Sequence, residues 1–389
     1  MNDEKLLEVL SQLFKELRNF KYNGDETLFS GRLGVSLFYF FYSNIDKKNI
    51  SEEIALKIFL EEQERLKRYQ NSNNFAYQLQ WFLWYSFYLN KNGFIHFGIE
   101  NIDDIKLIIE GKFKNHFVDK NYDLFYGAIG TGLVLQYICE RENFVNTFYN
   151  FFQSFKETHN DMTTWKRKTL TSGIEDYNYG LAHGIPSIIL FLNKLYLLSP
   201  SKYIEQCILE SSKHLVSVKQ NVDEIGSFFP TTISKDYINQ RSRLAWCYGD
   251  LGCGYSLLVS AQSLNNKELY SLAMEILKHS ASRKDPKQNM VYDLGICHGS
   301  SGLVLFFDRL YRITNDEVFK EASNYWLDLT VNSILLSGGI ANVKTWRADE
   351  FGGSYKDFGF LNGLTGIGLV LLSAVANIDT SWDECLLLR

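Results

Sequence analysis

The sequence has very little proline, 4 residues in 389. Proline breaks helices by removing an N–H and clashing with the preceding turn, so its scarcity favours long uninterrupted helices. No strand period or hairpin signal of any length competes with that reading. Cysteine is sparse as well. Cys139, Cys207, Cys247, Cys253, Cys297 and Cys385 show no framework spacing, which excludes a secreted disulfide scaffold. The N-terminus, Met1-Asn2-Asp3-Glu4-Lys5, lacks the basic and apolar regions of a signal peptide. No apolar run reaches the ~18 residues that span a bilayer. The nearest, Ile188 to Leu198, is short and contains Lys194. Positive charge is not in excess either: the net charge is −5, and the densest basic run, Lys166-Arg167-Lys168, reads as a solvated loop. Nothing therefore points to nucleic acid or membrane insertion, and the chain reads as a reduced, cytoplasmic protein.

What the sequence does contain is a sizeable apolar fraction, 46%, enough for a large core. It also holds 29 Phe and 23 Tyr, more than a core alone requires; cavity lining and biased genome composition both account for the surplus. A phrase recurs in which glycines two or three residues apart precede an apolar run. It appears at Ser30-Gly31-Arg32-Leu33-Gly34, Tyr126-Gly127-Ala128-Ile129-Gly130, Ala182-His183-Gly184-Ile185-Pro186, Tyr248-Gly249, His298-Gly299 and Asn362-Gly363. Ala76 to Leu89 sits where a further copy falls but lacks the glycines. Counting it gives seven units about 45–65 residues apart, the range of repeat architectures. An opening amphipathic helix is predicted over Leu6 to Phe20, and amphipathic stretches fill the intervals, at Lys106 to Phe113, Tyr203 to Val216, Lys267 to His279 and Asp316 to Leu329. The unit is thus helix, Gly-rich turn, helix, with the wholly apolar helices inside and the amphipathic ones outside. Seven such pairs either extend as a solenoid or close into a ring; closure gathers all the Gly-rich turns at one end.

Those turns carry the chemistry. Cys247, Cys297 and His298 supply two thiols and an imidazole roughly 50 residues apart, too far for a local zinc finger. Three ligands of this type leave one tetrahedral position open, the arrangement of a catalytic zinc. Taken singly, Cys253, Cys139, Cys207 and Cys385 read as small core residues, and His96, His116, His159 and His279 lie outside the repeat turns and receive no role.

Trp246-Cys247-Tyr248-Gly249, Cys297-His298-Gly299 and Gly180-Leu181-Ala182-His183-Gly184-Ile185-Pro186, in this order, resemble the signature motifs of the lanthionine synthetase C-like (lantibiotic cyclase) family. The terminal Trp382-Asp383-Glu384-Cys385-Leu386-Leu387-Leu388 is similar to the family's usual ending. The resemblance covers nearly the whole chain. It implies one all-α domain over residues 1–389, an α/α toroid of seven inner and seven outer helices, with one zinc ion held by Cys247, Cys297 and His298. It further implies His183 as acid/base, Asp123 as an acidic active-site residue, and Arg243 and Tyr248 as site residues. The chain departs from the family pattern at Leu251, where Pro is usual, and at Ser187, where Gly is usual.

The implied reaction adds a peptide cysteine to the β-carbon of dehydroalanine or dehydrobutyrine, closing a thioether ring. A thiol with a pKa near 8.5 is mostly protonated at neutral pH, and zinc in an open site holds it as thiolate. His183 then protonates the α-carbon of the enolate. Asp123 orients His183, keeps it charged or caps a helix; Arg243 stabilises the enolate oxygen or fixes a carboxylate; Tyr248 donates a hydrogen bond or walls the site. The implied partners are a dehydrated precursor peptide and a separate dehydratase, no such domain being fused in the 389 residues. Two alternatives share these residues: addition of glutathione or another small thiol to dehydrated residues, and a zinc-stabilised peptide-binding ring without catalysis. A glycosidase reading lacks the paired carboxylates it needs.

Overall fold

The computed structural model describes residues 3–19, 28–46, 50–68, 74–96, 98, 102–168, 173, 175–235, 237–239, 241–376 and 381–389. In chain order the helices begin with α1 (Asp3–Arg18), α2 (Arg32–Tyr42), α3 (Ile50–Arg68), α4 (Phe75–Lys91), α5 (Ile102–Asp119), α6 (Ala128–Ile138) and α7 (Arg141–Gln153). Four short strands follow, β1 (Glu157–His159), β2 (Met162–Thr164), β3 (Arg167–Lys168) and β4 (Glu175–Asn178). Then come α8 (Ile185–Leu198), α9 (Lys202–Ser217), the single turn α10 (Val222–Ile225), β5 (Thr232–Ser234) and β6 (Ile238–Asn239). The last helices are α11 (Asp250–Ser263), α12 (Lys267–Ser282), α13 (Ser300–Thr314), α14 (Glu317–Leu336) and α15 (Leu364–Ala376).

The chain divides into two compact units. One comprises Met1–Gly98 with Lys284–Trp382, the other Ile99–Arg283 with Asp383–Arg389. In the first, α2 packs on α3 and α15, α13 on α14 and α15, and α1 on α14 and α15. In the second, α11 packs on α12 and α8, α8 on α9 and α7, and α5 on α6.

The predicted alternation is present among the described residues. Helices α2, α4, α6, α8 and α11 are buried over most of their length, because their sequences offer no continuous polar face. Between them run helices with one buried stripe, such as α9 (Ile204, Cys207, Ile208, Ser211, Leu215) and α12 (Ala273, Ile276, Leu277, Ser280). The copy without glycines, Ala76 to Leu89, is α4, a buried helix carrying Trp81, Trp84 and Tyr85. The opening helix starts at Asp3, earlier than Leu6, and Phe20 lies outside the described residues. No described helix is long and apolar enough to cross a membrane.

The strands correct the sequence reading, which had none. β1 and β2 form a hairpin, and β3-β4-β5-β6 an antiparallel sheet, all in the second unit. Strands of two to four residues are too short to show a period of two. Their one legible mark is Asn160-Asp161, whose φ angles of 47° and 59° are those of a tight hairpin turn.

Two histidines sit in helices of the second unit, His116 buried and His214 half-buried. Burial lowers His116 and His214 to a pKa of about 4. Below about pH 6.5 the unfolded chain takes up protons that the folded chain refuses, so stability falls as pH drops toward 4, by up to about 1.4 kcal/mol per pH unit for each histidine. Urea midpoints measured from pH 7.5 to 5 should therefore decline, and His214→Gln should flatten the slope. An identical slope in the variant would show that His214 titrates normally in the folded protein.

Candidate active site

The turns that carry the predicted residues share one construction. Gly127, Gly184, Gly249 and Gly299 immediately precede α6, α8, α11 and α13, and Gly363 precedes α15. Six residues before four of these glycines stands Asn121, Asn178, Asp293 or Asp357. Each folds its side-chain oxygen onto the N–H two residues on, at 3.1, 2.9, 3.1 and 2.6 Å. This is an Asx turn, in which a short polar side chain stands in for a backbone turn. The carbonyls of Asn121, Asp293 and Asp357 also accept the first N–H of the following helix, at 2.9, 3.1 and 3.0 Å. A Cβ on the glycine would meet the Asx oxygen at 2.3–2.6 Å in all four turns, so no larger residue fits.

The fifth turn is built differently. Arg243 stands where the others have Asn or Asp, and a guanidinium cannot accept a hydrogen bond. The buried pair Asp250–Arg283 (3.2 Å) replaces it. Arg283 donates to the Ser242 carbonyl at 3.0 Å, and Asp250 accepts the N–H groups of Phe228 and Phe229, each at 3.0 Å. Gly249 has φ +99°, and a Cβ there would lie 2.4 Å from the Arg243 carbonyl.

Within the second unit the turns are tied to one another by backbone. Leu124 N–H donates to the Ala182 carbonyl (3.4 Å), and Ala182 N–H to the Cys247 carbonyl (3.3 Å). This brings Asp123, His183 and Tyr248 together. Asp123 Oδ2 lies 2.5 Å from His183 Nδ1, while its Oδ1 accepts the N–H groups of Phe125 (2.8 Å) and Tyr126 (3.0 Å). Asp123 is not a helix N-cap, the alternative left open by the sequence, because the cap of α6 is Gly127. The His183 and Tyr248 rings are 6.3 Å apart, and Phe125 packs edge-on to His183 at 5.9 Å. His183 keeps 28% of its side chain exposed and Asp123 14%. The Tyr248 hydroxyl accepts from Asn178 Nδ2 (3.3 Å); burial raises its pKa, so it stays protonated. Cys247 is buried, and Trp246 Nε1 anchors the loop on the Leu386 carbonyl at 3.1 Å. Arg243 is half-buried, and among the described residues its guanidinium has no hydrogen-bond or ion-pair partner.

In the first unit the N–H groups of Ile296 and Cys297 both donate to the Leu361 carbonyl at 2.9 Å, and Leu361 N–H in turn to the Phe29 carbonyl at 3.1 Å. His298 Nδ1 lies 3.2 Å from Oδ2 of Asp293, a carboxylate 1% exposed. That oxygen also accepts Trp346 N–H at 3.0 Å. Cys297 is half-exposed. Cys247 belongs to one unit and Cys297 with His298 to the other, and among the described residues no three His, Cys, Asp or Glu side chains are grouped as a metal site.

Sequence reasoning missed Asp293, the Asp250–Arg283 pair and Arg167. Arg167 was read as part of a solvated loop, yet its side chain is 23% exposed and pairs with Asp176 at 2.9 Å. The signal for Asp293 was available in the fixed spacing of six residues before each turn glycine. Cys207, Cys253 and Cys385 are buried core residues as expected, whereas Cys139 is half-exposed beside Glu110. Ser187, in place of the usual glycine, turns its hydroxyl back onto the Gly184 carbonyl at 2.6 Å and leaves the helix start intact.

The family model described as lanthionine synthetase C-like protein matches residues 22–387. The chain belongs to the lanthionine synthetase C-like family. A solved nisin cyclase superposes with a TM-score of 0.73 at 19% identity, covering 99% of this chain and 97% of that one. At that identity the likeness shows the fold, and the fold class expected from the motifs stands. A sugar epimerase from a ruminal bacterium aligns at a TM-score of 0.41 and 11% identity, over 97% of this chain and 98% of its own, and supports nothing further.

Among the five turn glycines, Gly249 is the one with a left-handed φ, +99°. Gly249→Ala should cost about 1–3 kcal/mol for its left-handed backbone, with the clash added, and lower the thermal midpoint by several degrees in calorimetry. An unchanged midpoint would show that the loop does not need this conformation.

Proposed function

We propose that this protein is a zinc-dependent lanthipeptide cyclase of the cytoplasm. It adds cysteine thiols of a dehydrated precursor peptide to dehydroalanine or dehydrobutyrine, after a separate dehydratase has acted. The observation that carries the reading is the Asp123–His183 pair, held at 2.5 Å beside a protonated Tyr248. The other turns hold Gly180, Ala245, Gly295 and Gly359 at the position of Asp123, so turn geometry does not demand a carboxylate there. Its second oxygen is given to a histidine in a neighbouring turn. The same comparison sets Arg243 apart, because it forgoes the Asx turn and leaves a cation without a described partner.

Cys247, Cys297 and His298 are the residues that would hold one zinc ion. The donor chemistry fits: two thiols and an imidazole whose Nδ1 faces the buried Asp293 carboxylate, which leaves Nε2 to ligate. Bound there, zinc supplies a Lewis acid that lowers the pKa of a substrate thiol. The chain's own residues do the rest. Asp123 fixes the tautomer and orientation of His183. The thiol sulfur forms the C–S bond at the β-carbon, the C=C electron pair moves onto the enolate, and His183 returns one proton to the α-carbon. The proton lost by the thiol balances the one delivered. Arg243 and Tyr248 supply positive charge and an O–H donor for the enolate oxygen as negative charge develops on it.

Cyclisation leaves the peptide mass unchanged but removes an alkylatable thiol, so alkylation followed by mass spectrometry counts rings. The wild type should close rings in a dehydrated Cys-containing peptide. His183→Asn and Asp123→Asn should slow this by about 10²–10⁴-fold without shifting the thermal midpoint by more than a few degrees. A wild type that attaches added glutathione while leaving the peptide's own thiols free would replace this reading with small-thiol addition. Separately, Asp293→Ala should weaken zinc about 10–100-fold in competition with a chromophoric chelator. An unchanged affinity would remove Asp293 from the account.

A further inference from the structure

The repeated turn makes the chemistry-bearing position explicit. Directly before the glycine stand Tyr126, His183, Tyr248, His298 and Asn362. Three of these are predicted site residues; Tyr126 has no role in the reaction as described above. We infer that Tyr126 is a specificity-determining residue, whose ring packs against the dehydrated residue of the substrate peptide beside the Asp123–His183 pair. The inference rests on the cyclase reading and adds to it the residue that receives the acceptor.

Three observations support it. Tyr126 is 54% exposed, whereas its neighbours Phe125 and Gly127 in the same turn are buried. Its backbone is immobilised from both sides: its N–H donates to Asp123 Oδ1 at 3.0 Å, and its carbonyl accepts from Asn121 Nδ2 at 3.0 Å. The ring is thus presented by a rigid turn, the arrangement in which a binding side chain loses least entropy. Finally, the carboxylate that holds Tyr126 N–H is the one that holds His183, and Phe125 contacts both rings, 6.4 Å from Tyr126 and 5.9 Å from His183. A dehydroamino acid is planar and conjugated, with an apolar edge, and such a group packs on an aromatic face.

The test uses a synthetic peptide with one dehydroalanine and one cysteine for kinetics, and its Cys-to-Ser version, fluorescently labelled, for binding to the full chain. Tyr126→Ala should raise KM and Kd about tenfold with kcat within twofold, the pattern of lost ground-state binding. Tyr126→Phe, which keeps the ring, should recover both to within about threefold of wild type. Thermal midpoints of both variants should match wild type, since the ring is exposed. If the wild type cyclises the peptide and Tyr126→Ala leaves KM and Kd unchanged, the inference falls and the cyclase reading stands. A fall in kcat at constant KM would also overturn it, by placing Tyr126 in the chemistry and not in binding. If the wild type closes no ring, the cyclase reading falls and takes the inference with it.

Discussion

The structure depends on a backbone contact between consecutive Gly-rich turns. In the second unit the turn before α6 donates to the turn before α8, and that one to the turn before α11. In the first unit the turn before α13 donates to the turn before α15, which donates to Phe29. These bonds require the turns to lie almost in contact. That is why Gly180 and Gly295 have no room for a Cβ, which would lie 2.6 Å from the Cys247 and Asn362 carbonyls of the neighbouring turn, while an Asx side chain or a buried ion pair supports each loop from within. Buried backbone N–H and C=O groups need partners, and within each unit one turn supplies them to the next.

The functional consequence is geometric. A residue placed directly before the glycine takes its backbone position from this ladder, and a polar neighbour then holds the side chain: Asp123 for His183, Asn178 for Tyr248 and Asp293 for His298. His183, Tyr248 and His298 occupy that place. The residues that depart from the turn's own rules are the ones proposed to act in the chemistry. Asp123 is a carboxylate where the other turns have glycine or alanine, and Arg243 is a cation where they have an Asx acceptor. The cost of Arg243 is met by the buried Asp250–Arg283 pair, which takes over the loop it cannot support.

Much of this was legible in the sequence. The Gly-rich phrase placed the starts of α2, α6, α8, α11, α13 and α15, and its apolar runs identified the buried helices. Ala76 to Leu89 was legible as a helix despite having no glycine, because Trp81, Phe82, Trp84 and Tyr85 leave no polar face. His183 and Asp123 were legible as motif residues, and their pairing was one of the alternatives open for Asp123; what decides it, a 2.5 Å contact across 60 residues, depends on the turn-to-turn bonds. The small strands were illegible because two to four residues carry no period. Asp293 and Arg167 were overlooked for different reasons: the spacing of six that marks Asp293 shows only when the turns are aligned on their glycines, and Arg167, which pairs with Asp176, lies outside the turns and has no motif of its own.

The central claim is that Cys247, Cys297 and His298 hold one zinc ion per chain. Elemental analysis of purified wild type beside Cys247→Ala, Cys297→Ala and His298→Ala tests it most directly. The account predicts one zinc per chain in the wild type and a large loss in each variant, with helical content by circular dichroism preserved. A wild type that binds no zinc after metal is resupplied, or variants that retain it fully, would contradict the account.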